Sequence, residues 1–150
     1  MINRQGAKTP REEAGQDEIE NRQVEPVAEL DALTHRVIGC AIAVHRVLGP
    51  GHLEAAYESA LCIEFGEQRI SFERQFPVTL KYHDQSIGEY RLDLLVDGKL
   101  IVEIKTVEQL APIHHAQLLA YLKATSKQLG LLINFNTTIL KHGIKRVVLS

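Results

Sequence analysis

Between residues 30 and 48 the apolar side chains Leu30, Leu33, Val37, Cys40, Ala41, Val44 and Leu48 recur at steps of three and four. That is the period of a helix with one buried face, and it predicts a first helix over roughly 27–48. Gly49-Pro50-Gly51 ends it, because proline cannot continue a helix and glycine tolerates the backbone angles of a sharp exit. A second helix is expected over about 53–68, with Leu53, Tyr57, Ala60, Leu61 and Phe65 available for packing. Beyond Arg69 the period drops to two through Phe72, Val78, Leu80 and Tyr82, which reads as a strand. His83-Asp84-Gln85 is a polar turn, and residues 87–96 form a second strand ending in the apolar run Leu92-Asp93-Leu94-Leu95-Val96. Asp97-Gly98 signals a hairpin, followed by a third strand from Lys99 to Lys105. A helix over about 108–125, a buried strand from Leu129 to Phe135 and a short one from Ile144 to Leu149 complete the chain. The order is helix, helix, three strands, helix, two strands, without an internal repeat. Such an order predicts an α/β fold, a mixed sheet flanked by helices.

Residues 1–26 lack this patterning. They are polar, hold four basic and six acidic side chains, and offer too little apolar surface to offset the entropy of ordering. A flexible tail ending at Pro26 is expected, with one domain over 27–150. The whole chain is 45% hydrophobic and 24% charged, the balance of a soluble globular protein, and no apolar run approaches membrane-span length. No secretory signal pattern is visible. Cys40 and Cys62 lack metal-ligand spacing and fit buried free thiols, so a reducing, cytoplasmic setting is expected.

Charge narrows the choice of partners. The net charge is −2, and the tail accounts for it, leaving residues 27–150 with thirteen charges of each sign. Any contact with nucleic acid must come from a local patch, since counterion release needs grouped lysines and arginines. Lys141, Lys145 and Arg146 could belong to one, although a solvated strand edge is the better reading of them.

Chemistry concentrates in the central hairpin. Asp93 within an apolar run is costly to bury as a charge unless something pairs with it. Glu103 repeats the problem within Leu100-Ile101-Val102-Glu103-Ile104, and Lys105 follows two residues on, on the same face of its strand. A buried ion-pair cluster is one solution. A bound cation is the other, and oxygen ligands of this kind suit Mg²⁺ or Mn²⁺, with the lysine ammonium beside an attacking water. The cation solution constrains the turn: a two-residue Asp97-Gly98 loop would set Asp93 opposite Val102 and leave Glu103 on the other face. A three-residue loop or a bulge is required.

Asp93, nine intervening residues and Glu103-Ile104-Lys105 resemble the D…(D/E)xK signature of the PD-(D/E)XK nuclease superfamily. Upstream, Gly51-His52-Leu53-Glu54-Ala55-Ala56-Tyr57 resembles the motif that names the GxxExxY protein family, a branch of that superfamily, and the likeness runs from about Ile38 to Val148. The resemblance implies a restriction-endonuclease-like fold in the order ααβββαββ. It also implies phosphodiester hydrolysis of DNA or RNA with Mg²⁺ or Mn²⁺, and Glu54 as a third carboxylate at the metal. Glu54 is also explained by the helix macrodipole alone. Tyr57, on the same helical face, would hydrogen-bond that carboxylate, touch substrate, or simply pack. Gln117 and Tyr121 resemble the QxxxY motif of RecB-like nucleases, and Gln117 in an apolar helix calls for a partner. Leu92 stands where the superfamily has its eponymous proline, a difference of backbone shape rather than of ligands. His114 and His115 are adjacent, point apart and make a poor zinc pair. The chain leaves no room for a separate recognition domain, so sequence-specific cutting would require a homodimer or another partner. The alternative is a catalytically silent nucleic-acid-binding or accessory protein that keeps the fold.

Overall fold

The structure, a computed structural model, describes the backbone from Pro10 and the side chains from Ala28. The chain forms two compact units, residues 1–35 and 36–150. The first helix, α1, spans Pro10–Leu48. It ends where the periodicity places it but starts upstream of the expected residue 27. The Glu, Gln, Arg and Ala residues that follow Pro10 are good helix formers, and proline suits a first helical position. The tail expected over 1–26 otherwise falls outside the described residues: the backbone of 1–9 and the side chains as far as Val27.

In the second unit α2 covers Glu54–Glu67, β1 Phe72–Tyr82, β2 Gln85–Val96 and β3 Leu100–Lys105. Helix α3 covers Pro112–Thr125, β4 Leu129–Asn134 and β5 Ile144–Val148, the last preceded by a 3₁₀ turn over Leu140–Gly143. The strands form one five-stranded sheet in the order β1-β2-β3-β4-β5. Only β3 and β4 run parallel, and α3 makes the crossover that a parallel pair requires. The fold is a mixed α/β sheet flanked by helices, consistent with the restriction-endonuclease-like arrangement. Helix α3 begins later than expected because Pro112 occupies its first turn, where a missing N–H costs nothing.

The central strands are covered on both faces. Every residue of β3 and β4 except Lys105 is buried, which is why both read as nearly continuous apolar runs. On one face Leu118, Tyr121 and Leu122 of α3 pack with Val78, Leu92, Leu95, Ile101, Leu132 and Val147. Gly130 permits this approach: a Cβ there would stand 2.8 Å from a Leu118 methyl. On the other face Leu94, Leu100, Val102, Ile104, Leu131 and Ile133 are buried, as are Tyr57, Leu61 and Phe65 of α2. Among the described residues no helix is long and apolar enough to cross a membrane.

Candidate active site

The hairpin between β2 and β3 sets the site. Leu94 pairs with Val102, Leu95 with Ile101 and Val96 with Leu100, so Asp97, Gly98 and Lys99 form a three-residue loop. Asp97 and Gly98 take φ of 52° and 64°, and the Lys99 N–H donates to the Val96 carbonyl at 3.0 Å. Continued by one step, this register sets Asp93 opposite Glu103, as the cation solution requires. The regular ladder stops there. The Asp93 N–H donates to Glu103 Oε2 at 2.8 Å, and the Ile104 N–H donates to Asp93 Oδ2 at 2.8 Å. Each carboxylate thus accepts an amide from the opposing strand through one oxygen. The other oxygens, Asp93 Oδ1 and Glu103 Oε1, accept no hydrogen bond among the described residues.

The backbone is irregular at the same level. Leu92 and Leu95 are three apart yet pack in one cluster on the α3 side, so the period-two alternation breaks between them. Across the sheet Arg74 pairs with Leu94 and Phe76 with Leu92, and Gln75 between them has a φ of 54°. A left-handed conformation costs a residue other than glycine about 1–2 kcal/mol, and such strain persists where the surroundings fix it. Here Glu58 of α2 supplies the fixing. Its carboxylate accepts Gln75 Nε2 at 2.9 Å and Arg74 Nε at 2.5 Å. Arg74 also donates to Ser59 Oγ at 2.8 Å. Glu58 is buried and was missed by the sequence reading. Its signal was available, since it lies one turn after Glu54 on the same face of an amphipathic helix.

These carboxylates crowd one another. Burial raises the Asp93 pKa above the ordinary carboxylate value, and the charges of Glu58 and Glu54 add to it against the Ile104 amide and Lys105. Glu103, only 6% exposed, is pushed up to about 8 by burial and then by Asp93, again opposed by the Asp93 amide and Lys105. The Tyr121 hydroxyl is raised by burial, by Glu103, by Tyr90 and by Asp93. A surplus of negative charge around free carboxylate oxygens is what a hard cation would relieve.

Lys105 lies at the edge of this cluster, where its Nζ donates to Gln117 Oε1 at 3.4 Å. Gln117 is exposed, and the partner that its place in an apolar helix calls for is Lys105, met at the surface. Tyr121, one turn further along α3, is buried among Leu92, Leu95 and Ile101. Glu54 sits exposed in the first turn of α2 and reaches Asp93 and Glu103 through charge. Among the described residues no three His, Cys, Asp or Glu side chains are gathered closely enough to hold an ion by themselves. The protein therefore offers a facing pair with Glu54 standing off. The chemistry still fits Mg²⁺, which commonly takes one or two carboxylates and leaves its other positions to water and phosphate.

Among the described residues Tyr57 makes no hydrogen bond to Glu54. It is fully buried and stacks on Phe135 with ring centroids 4.5 Å apart. Its hydroxyl donates to the Gly49 carbonyl at 2.5 Å and accepts the His52 N–H at 3.2 Å, so it pins the Gly-Pro-Gly turn that launches α2. His114 Nδ1 accepts the Ala111 N–H at 2.9 Å and closes the first turn of α3. Lys145 and Arg146 are exposed on edge strand β5, with β4 between them and β3.

A family model described as the PD-(D/E)XK nuclease superfamily matches residues 31–147, an interval that holds every residue of the cluster. No curated protein and no solved structure matches the chain.

Proposed function

Because the chain belongs to the PD-(D/E)XK nuclease superfamily, we propose that it is a metal-dependent nuclease hydrolysing phosphodiester bonds in DNA or RNA. The observation that carries this is the carboxylate pair Asp93 and Glu103, facing each other where the β2–β3 ladder opens, with Lys105 beside them. Asp93 and Glu103 would hold Mg²⁺ or Mn²⁺, and Glu54 would reach it directly or through water. When bound, such an ion polarises the phosphate and lowers the pKa of water.

The side chains do the rest. The amides of Asp93 and Ile104 fix one oxygen of each carboxylate and so aim the other. Proton loss from Glu103 prepares the site for a cation, which makes activity rise as pH approaches about 8. Lys105, steadied by Gln117, orients the attacking water and stabilises negative charge on the phosphoryl oxygens. Tyr57 and Tyr121 support the site by holding the α2 turn and by backing the carboxylates.

The Gly51 to Tyr57 motif supports membership of the GxxExxY branch. The neutral balance of residues 27–150 favours a second reading, an accessory protein that binds nucleic acid without cutting it; a cytoplasmic setting, and a homodimer or another partner to supply specificity, are proposed with either. Incubation of the purified chain with single- and double-stranded DNA and RNA separates the readings. Cleavage with Mg²⁺ or Mn²⁺ that chelation stops is expected, and Lys105→Ala should lower turnover by about 10²–10³. Binding without cleavage of any of the four would instead support the accessory reading.

A further inference from the structure

Building on the nuclease reading, we infer that Tyr90 is a stacking platform for an unpaired base, and that the strand presented to the carboxylates is single-stranded nucleic acid. Tyr90 pairs with Val78 across β1 and β2. Directly opposed residues share a face, and Val78 is buried under α3, so Tyr90 emerges on the α3 side. Its ring centroid lies 5.8 Å from that of Tyr121, tilted by 54°. The two rings differ in exposure, 8% for Tyr121 and 46% for Tyr90. Tyr121 faces inward and feels the charges of Glu103 and Asp93, while Tyr90 keeps much of its surface open to solvent. Tyr90 also lies three residues from Asp93 along β2, about 10 Å at strand rise. A base next to the phosphate at the carboxylates can span that distance.

The surroundings favour one strand over two. The β2–β3 ladder stops at Leu94 and Val102, which leaves the edge of β2 from Tyr90 to Leu92 without a β3 partner alongside the carboxylates. Within a duplex both faces of each base are covered by neighbours, so an aromatic ring can claim a base only where a strand is unpaired. A duplex would further need grouped cations along two backbones, and residues 27–150 carry no net charge. Stacking supplies affinity that does not depend on such a patch. The site then has a polarity along the α3 face: base on Tyr90, phosphate at Asp93 and Glu103, Lys105 and Gln117 beyond.

The test uses the full chain, wild type beside Tyr90→Ala, Tyr90→Phe and Tyr90→Trp, with oligodeoxynucleotides and oligoribonucleotides containing 2-aminopurine. In Ca²⁺, single-strand binding by fluorescence anisotropy should weaken about ten- to a hundredfold in Tyr90→Ala. It should stay within about threefold of wild type in the Phe and Trp variants. Quenching of 2-aminopurine should vanish only in Tyr90→Ala, a signature that loss of packing alone would not give. Binding of a blunt duplex of the same length should not change. Unaltered single-strand affinity and quenching in Tyr90→Ala would overturn the inference, as would equal loss on single strand and duplex. Cleavage in Mg²⁺ is scored separately. If wild type cuts but Tyr90→Ala cuts the single strand equally well, the stacking inference falls and the nuclease reading stands. If nothing is cut while the binding pattern holds, the nuclease reading falls and the stacking inference stands.

Discussion

Asp93 and Glu103 each do two jobs that substitution can separate. One oxygen accepts a backbone amide at 2.8 Å, and the other accepts no hydrogen bond among the described residues. Asp93→Asn keeps an oxygen for the Ile104 N–H and removes the charge, so the metal-free protein should be as stable as wild type or up to about 1 kcal/mol more stable. Cleavage should nevertheless be lost. Asp93→Ala should destabilise by about 1–3 kcal/mol, because the Ile104 amide loses its acceptor. Thermal melts of both variants without metal check the contrast. Had the cluster served only as an ion pair, Asp93→Asn would cost about 3–5 kcal/mol instead. Glu103 adds a pH signature. Its pKa is about 8 against an ordinary 4.5, so between these values the folded chain binds a proton that the unfolded chain has released. Stability must fall as pH rises through that window. Melting temperatures without metal should therefore decline from about pH 4.5 to about pH 8, and Glu103→Gln should flatten the slope.

At the scale of elements, the three-residue hairpin loop and the α2 turn decide where the carboxylates stand. The loop was legible from counting alone, because only an odd loop or a bulge brings Asp93 opposite Glu103. The burial of β4 was equally legible, since its nearly continuous apolar run marks a strand covered on both faces. The bounds of α1 and α3 were less so. Helix propensity carried α1 upstream of its apolar face, and Pro112 delayed α3. The role of Tyr57 could not be read from its spacing to Glu54, because a fully buried ring answers to Phe135 and Gly49 rather than to its helical neighbour. That Gln117 needs a partner was legible, but not that it meets Lys105 at the surface, because an apolar neighbourhood in sequence is here a surface in space. Glu58 left one signal, its place a turn after Glu54, but its partners, Arg74 and Gln75, lie on another element that this spacing does not reveal. Tyr57→Phe tests the element-level account: loss of the hydroxyl leaves the Gly49 carbonyl and His52 amide without their partner and should cost about 1–3 kcal/mol in urea melts. Cleavage by the folded fraction should survive.

For the whole second unit, the fold brings into one place a charge surplus that the sequence distributes over one helix and two strands. Glu54 and Glu58 come from α2, Asp93 from β2, and Glu103 and Lys105 from β3. Burial, joined by the neighbouring carboxylates and opposed by Lys105, raises the proton affinity of Asp93 and Glu103, a cost to the metal-free fold that a bound cation would offset. Calorimetric titration of Mn²⁺ into wild type and Asp93→Asn at pH 7.5 is the most direct measurement. One ion should bind wild type with release of protons as Glu103 deprotonates, and affinity should fall at least tenfold in the variant. Equal Mn²⁺ affinity in the two proteins, or no binding to either, would contradict the assignment of Asp93 and Glu103 as a metal centre.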